Sequence, residues 1–167
     1  FDLSVTAMTT EDDGDTAATS GTLTVDVAGV ADDPTLTVGD TSGTEDQPID
    51  LDIAASLTDA GEDLSVTISG VPDGASLSAG TDNGDGTWTL DAGDLDGLTV
   101  APADDVSGSV DLAVSATSTE ADGGDTATTT GTITVDVAAD ADAPTLTLDA
   151  TAEGTEDTAI SLDISAG

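Results

Sequence analysis

The sequence predicts an all-β fold, a seven-stranded antiparallel sandwich set in a tandem array. Three observations carry this reading. Apolar residues alternate with Thr, Ser and Asp at period two, turn residues (Gly, Asn, Asp, Pro) punctuate the runs, and long stretches recur about 110 residues apart. Period two puts successive side chains on opposite faces of a strand, one face for a core and one for water. No stretch of useful length carries apolar residues at helical spacing.

The repeat sets the domain boundaries. "TAATSGTLTVDVA" (16–28) agrees with "TATTTGTITVDVA" (126–138) at ten of thirteen positions, and "GTEDQPIDLDI" (43–53) with "GTEDTAISLDI" (154–164) at eight of eleven. The offset drifts from 109 between Glu11 and Glu120 to 111 between Glu45 and Glu156, as single-residue loop insertions would cause. Such a unit is too long for a solenoid repeat and fits a whole small domain. Residues 1–33 therefore read as the C-terminal part of one repeat, 34–143 as a complete repeat and 144–167 as the N-terminal part of another. Counterparts of 57–109 are missing from both flanks, so the expected organisation is a window on a longer array.

Within the complete repeat the alternation places strands at 35–38, 49–55, 64–69, 75–79, 86–90, 109–118 and 125–138. Their inward rows are Ile49, Leu51 and Ile53; Leu64, Val66 and Ile68; Val110, Leu112 and Val114; and Ile133, Val135 and Val137. Trp88 and Leu90 are expected to plug the centre. Thr dominates the outward rows and suits a pleated, solvated face. Seven strands in this length fit an immunoglobulin-like or cadherin-like sandwich. "TDNGDGT" (81–87) reads as a hairpin and lacks the residue spacing of an EF-hand loop.

Charge narrows the function. The 167 residues include 36 Asp plus Glu and no Lys, Arg, His, Cys or Tyr, for a net charge of −36. Nucleic acid binding requires cations to displace counterions from phosphates, and this chain has none to offer. An anionic membrane surface would repel it, and no apolar run approaches the ~20 residues that span a bilayer, so no direct membrane insertion is expected. Without Cys there are neither disulfides nor zinc–thiolate sites. Only carboxylates and hydroxyls remain for chemistry, and a hydroxyl nucleophile would lack a basic partner. A glycosidase-like carboxylate pair is formally possible, but one Trp and one Phe make a poor sugar platform, so no enzyme is expected. Leu, Ile, Val and Phe lie close to the ~20% level below which chains tend towards disorder. Periodicity decides for a folded surface adapted to salt or divalent cations.

Strand parity then sorts the acids. If strands alternate in direction, one pole of the complete repeat gathers Glu45 and Asp46, Asp104 and Asp105, and Asp140 with Asp142 from the following linker. The other gathers Asp32 and Asp33 from the preceding linker with Asp59 and Glu62. Ca2+ takes six to eight oxygen ligands, a number that acids converging from several loops can supply. Crowded carboxylates repel until a cation enters, which would couple binding to ordering of the linker. Most of the 36 acids are solvated surface groups on this view; the repeated pairs Asp32/Asp142 and Glu45/Glu156 are the strongest candidates for ligands. Glu11 and Glu120 repeat as well, in a loop that can face a different junction. Pro34 and Pro144 fix φ and extend the residue before them, so neither linker continues as a helix.

At "GTEDQPIDLDIAASLTD", "EDLSVTISGVPDGASLSAGTDNGDGTWTL", "ATSTEADGGDTATTTGTITVDV" and "ADAPTLTL" the chain resembles the tandem extender domains of large bacterial RTX-type surface adhesins. The resemblance implies a secreted, Ca2+-rigidified repeat that contacts its neighbouring repeats and holds a distal binding region away from a Gram-negative cell. It supports Glu45, Asp142 and Asp32 as ligands, with Asp59 as a loop contributor. The chain departs from that pattern at "TDAGEDL", where a D-x-D-G loop is common, and at Val30, which stands where the second linker has Asp140. Complete absence of Lys and Arg points to a saline habitat. A different class, the protomer of a self-assembling extracellular filament, would explain the same repeats by contacts between chains.

Overall fold

The computed structural model describes residues 1–121, 123–148 and 151–167. Its regular structure is β throughout, apart from one 3-10 turn at Ala92–Asp94. The strands are β1 (Asp2–Thr10), β2 (Thr16–Thr24), β3 (Thr35–Gly39), β4 (Thr41–Thr44), β5 (Ile49–Asp50), β6 (Asp52–Ser56), β7 (Glu62–Ser69), β8 (Ser76–Leu77), β9 (Thr81–Asp82), β10 (Thr87–Asp91), β11 (Thr99–Ala101), β12 (Gly108–Glu120), β13 (Thr126–Ala138), β14 (Leu146–Leu148) and β15 (Ile164–Ala166).

A six-stranded sheet in the order β4-β13-β12-β7-β10-β9 is the backbone of the complete repeat. All its pairings are antiparallel except β4 with β13. The long partners β12 and β13 form because thirteen residues each alternate without a break: Leu112, Val114 and Ala116 face inward opposite Ile133 and its neighbours. Together with Leu51, Val71, Leu95 and Leu98 from the connections, two smaller sheets, β5-β11-β8 and β3-β6, supply the rest of the core. Ile49, Ile53, Leu77 and Val100 from these join Val66, Ile68, Leu90, Leu112, Val114 and Ile133 in one buried cluster, giving the repeat a sandwich-like layering. Close approach of the layers is visible at Gly131, where a Cβ would lie 2.9 Å from Val38.

Among the described residues, Pro34 apart, every buried apolar residue falls between Ile49 and Val137. The hairpin β1–β2 and the pair β14–β15 keep their strand pairing but expose Leu3, Val5, Met8, Leu23, Leu146, Leu148 and Ile164. No helix among the described residues is long and apolar enough to cross a membrane.

Eleven strand segments, rather than seven, make up the complete repeat. The expected strand 49–55 is divided at Leu51: its N–H still bonds Leu98 O at 2.9 Å in the register of the β5–β11 pair, and from Asp52 the chain pairs with β3 instead. The expected strand 75–79 shrinks to Ser76–Leu77: Ser78 N still bonds Thr99 O in register, but the Thr99 amide is taken by Ser78 Oγ at 3.0 Å instead of its carbonyl, and the ladder ends there. β4 lacks an apolar residue and β11 has Val100 as its single buried one, so neither carries a periodic signal. Trp88 is half-buried against the core beside fully buried Leu90, on the inward row of β10.

Candidate metal site at the two ends of the repeat

Among the described residues, the buried polar side chains are Glu45, Glu62 and Ser118, and all three hold a linker. Glu62 starts β7, on the same inward row as Leu64, Val66 and Ile68, so the core runs directly into its carboxylate. It is 6% exposed, and Oε1 accepts the amide of Asp32 at 2.6 Å. Oε2 is buried with no hydrogen-bond partner. Ser118, two residues from the end of β12, donates to the Asp32 carbonyl at 2.6 Å.

The first linker is stitched along its length to the domain that follows. Ala31 N donates to Asp125 Oδ2 at 3.3 Å, Thr58 Oγ1 to Asp33 O at 2.9 Å and Thr129 Oγ1 to Pro34 O at 2.7 Å. Pro34 is buried. Residues 31–34 thus close the end of the core as a lid. Glu120 ends β12 directly opposite Glu62, and its carboxylate lies over Gly29: a Cβ there would come within 2.5 to 2.8 Å of it.

The opposite end is built around Glu45, also 6% exposed. Its Oε1 accepts Asp140 N at 2.8 Å, while its own amide donates to Ala138 O at 3.0 Å, extending the parallel pairing of β4 and β13 into the linker. Asp46 and Asp105 adopt left-handed backbone, with φ of 61° and 59°. Asp pays less than most residues for that conformation, and the repeat-equivalent Asp157 does the same at 62°. A hydrogen bond shared with Asp105, together with the charges of Asp46, Asp105 and Glu45, raises the Asp142 carboxyl above its ordinary range.

The ten acids expected as ligands thus divide by what they do here. Glu45, Asp46, Asp105 and Asp142 are electrostatic neighbours, with Asp140 held among them by its amide. Glu62 meets Asp32 through the linker amide. Asp33 offers its carbonyl rather than its carboxylate, and Asp59 caps its own turn by accepting Gly61 N at 3.2 Å. Asp104 is exposed. Among the described residues no three acids stand close enough to enclose an ion as placed; charge acts over a longer range than ligation. The loop 81–87 is self-satisfied: Asp82 accepts Gly84 N, and Asp85 accepts both donors of Thr87, which lowers the Asp85 pKa.

Sequence reasoning missed Asp125, Ser118 and Gly29 as parts of this end and left Glu120 unassigned. A signal was available: Glu11 and Asp15 bracket the β1–β2 turn as Glu120 and Asp125 bracket the β12–β13 turn, with the same bond from Glu N–H to Asp carbonyl at 2.8 and 2.9 Å.

Chemically, each end presents carboxylate and carbonyl oxygens and no nitrogen or sulfur ligand, a donor set suited to hard cations. A carboxylate withdrawn from water is costly unless paired. No side chain of this chain can supply the countercharge. No protein-family model matches the sequence, and no curated protein is similar to it.

Proposed function

We propose that the chain is part of a Ca2+-rigidified extender of a large extracellular bacterial adhesin, built from immunoglobulin-like or cadherin-like sandwiches. Its task is mechanical: to hold a distal binding region away from the cell. One observation carries the reading. At each end of the complete repeat a buried glutamate grips a linker amide, in a chain without a single cationic side chain.

Superposing the two linkers through the repeat shows why this suits a joint. Asp140 is the counterpart of Val30 and Asp142 of Asp32, so a complete joint would have its first amide taken by the Glu45-type residue of the preceding domain. The amide two residues on would be taken by the Glu62-type residue of the following domain. Carboxylates of two domains then converge on one short linker. Without a cation they repel; bound Ca2+ offsets that repulsion, and the hinge stiffens.

Small-angle scattering tests this on the chain as it stands, with Ca2+ or with chelator at equal ionic strength. The expected result is a longer, narrower distribution of maximum dimensions with Ca2+. Identical profiles would remove the rigidification claim.

A second reading, a repeat of a self-assembling filament, draws on the exposed apolar faces of β1–β2 and β14–β15. Their counterparts β12–β13 and β3–β6 pack together inside the complete repeat, so two chains could cover each other's faces. Sedimentation over a range of concentrations separates the readings: reversible head-to-tail growth favours the filament, and a monomer throughout disfavours it.

A further inference from the structure

We infer that Glu62 and Glu120 form a two-carboxylate seat for one divalent cation that belongs to a single domain and its own entering linker. It is distinct from the Glu45 end, and it rests on the same reading of the chain as a cation-binding spacer.

The geometry is that of paired strands. Glu62 and Glu120 are Cα partners in the β7–β12 ladder. Residues directly opposite in an antiparallel pair have Cβ atoms about 4.5–5.5 Å apart, and like charges in that relation destabilise the sheet. Both side chains occupy the inward rows, Glu62 in line with Val66 and Ile68, Glu120 in line with Ala116 and Ser118. The sheet therefore presents two acids side by side at the end of an apolar core.

The second observation is independent of that clustering. Glu62 is more than nine-tenths buried, and its Oε2 has no hydrogen-bond partner although Oε1 is well satisfied by Asp32 N. Buried polar atoms in folded proteins nearly always have a partner, and this one belongs to a carboxylate whose other oxygen is held by the first linker. A hard divalent cation would satisfy it, offset the repulsion between opposing carboxylates, and fill its remaining positions with carbonyls and water.

Gly29 is the residue that lets Glu120 take part. Any Cβ at this position would collide with the Glu120 carboxylate and push it off the linker. The second linker carries Ala139 at the equivalent position, and Asp140 where the first has Val30. The two joints are therefore built differently: the first leaves room for a domain carboxylate, whereas the second brings its own.

The test counts Ca2+ ions per chain by equilibrium dialysis and measures their affinity by calorimetry, with Mg2+ as a comparison. Wild type is set against Glu62→Gln, Glu120→Gln, the double variant and Glu45→Gln, each checked for folding by circular dichroism in chelator. The expected result is that Glu62→Gln and Glu120→Gln each lose the same one ion, the double variant loses no more, and Glu45→Gln retains that ion. Gly29→Ala, at a half-exposed linker position where the added methyl meets only the far end of the Glu120 side chain, should keep the fold and weaken the same ion roughly tenfold. If wild type binds Ca2+ and the Glu62/Glu120 double variant keeps the full count and affinity, this seat is refuted while the spacer reading stands. If wild type binds no Ca2+, both fall.

Discussion

The hairpins β1–β2 and β12–β13 are near-copies. Leu3 faces Leu23 in one as Leu112 faces Ile133 in the other, and Val5 faces Gly21 as Val114 faces Gly131. Both turns open with a glutamate whose amide bonds an aspartate carbonyl. Yet Leu112 and Ile133 are fully buried, whereas Leu3 and Leu23 are about half exposed. Glu120 lies against a linker and opposite Glu62, while Glu11, opening the equivalent turn, is exposed. Local sequence makes the hairpin; the remaining strands of the repeat and the entering linker turn the same hairpin into a core wall and a binding edge.

The largest effect should come from truncating one hairpin position in each copy. Ile133→Ala is expected to cost about 2–5 kcal/mol in chemical denaturation, since it empties a fully buried site. Leu23→Ala should stay within about 0.5 kcal/mol. Comparable losses at both would mean that the first hairpin is packed after all.

Next in size is Ser118→Ala. Ser118 is fully buried and holds the Asp32 carbonyl, so its loss should cost about 1–3 kcal/mol and loosen the lid. The counterpart Thr9→Ala, in the exposed hairpin, should be nearly neutral. Hydrogen exchange at the Ala31 and Asp32 amides would show whether the lid opens as the bond is lost.

A smaller effect concerns the Glu45 end and its pH dependence. Asp142 is raised in the folded chain, so it holds its proton more tightly there than in the unfolded one. Its contribution is therefore full below the ordinary carboxylate pKa and is lost as pH rises through the folded value. Asp105→Gly removes the shared hydrogen bond and one charge, and it suits the left-handed backbone at that position. Carboxyl NMR titration should then find Asp142 moved down towards the ordinary value, short of reaching it because Asp46 and Glu45 still act on it; an unchanged titration would dismiss Asp105 as a cause.

Much of this was legible in the sequence, and what was not has physical reasons. Unbroken alternation in 109–118 and 125–138 located the two longest strands, and the inward rows through Val66, Leu112 and Ile133 are those that form the core. Parity was enough to place Glu45 with Asp140 and Glu62 with Asp32. The opposition of Glu62 and Glu120 was hidden because it depends on register between strands more than forty residues apart, which no local pattern fixes. Ser118 was hidden because a hydroxyl on an inward row reads as the end of a strand, when here it is the clasp that binds strand to linker. Asp33 and Asp59 were conspicuous as acids, but their backbone and turn roles follow from loop geometry alone.

The central claim is that divalent ions offset carboxylates crowded where the linkers meet the repeat. Thermal unfolding of the whole chain tests it most directly, comparing Ca2+, chelator, and NaCl at matched ionic strength. Ca2+ should raise the melting temperature well beyond the NaCl control, reversibly with chelator; a hundredfold excess over Kd is worth about 2.7 kcal/mol for one site. A melting temperature that follows ionic strength alone, indifferent to which cation supplies it, would contradict the account.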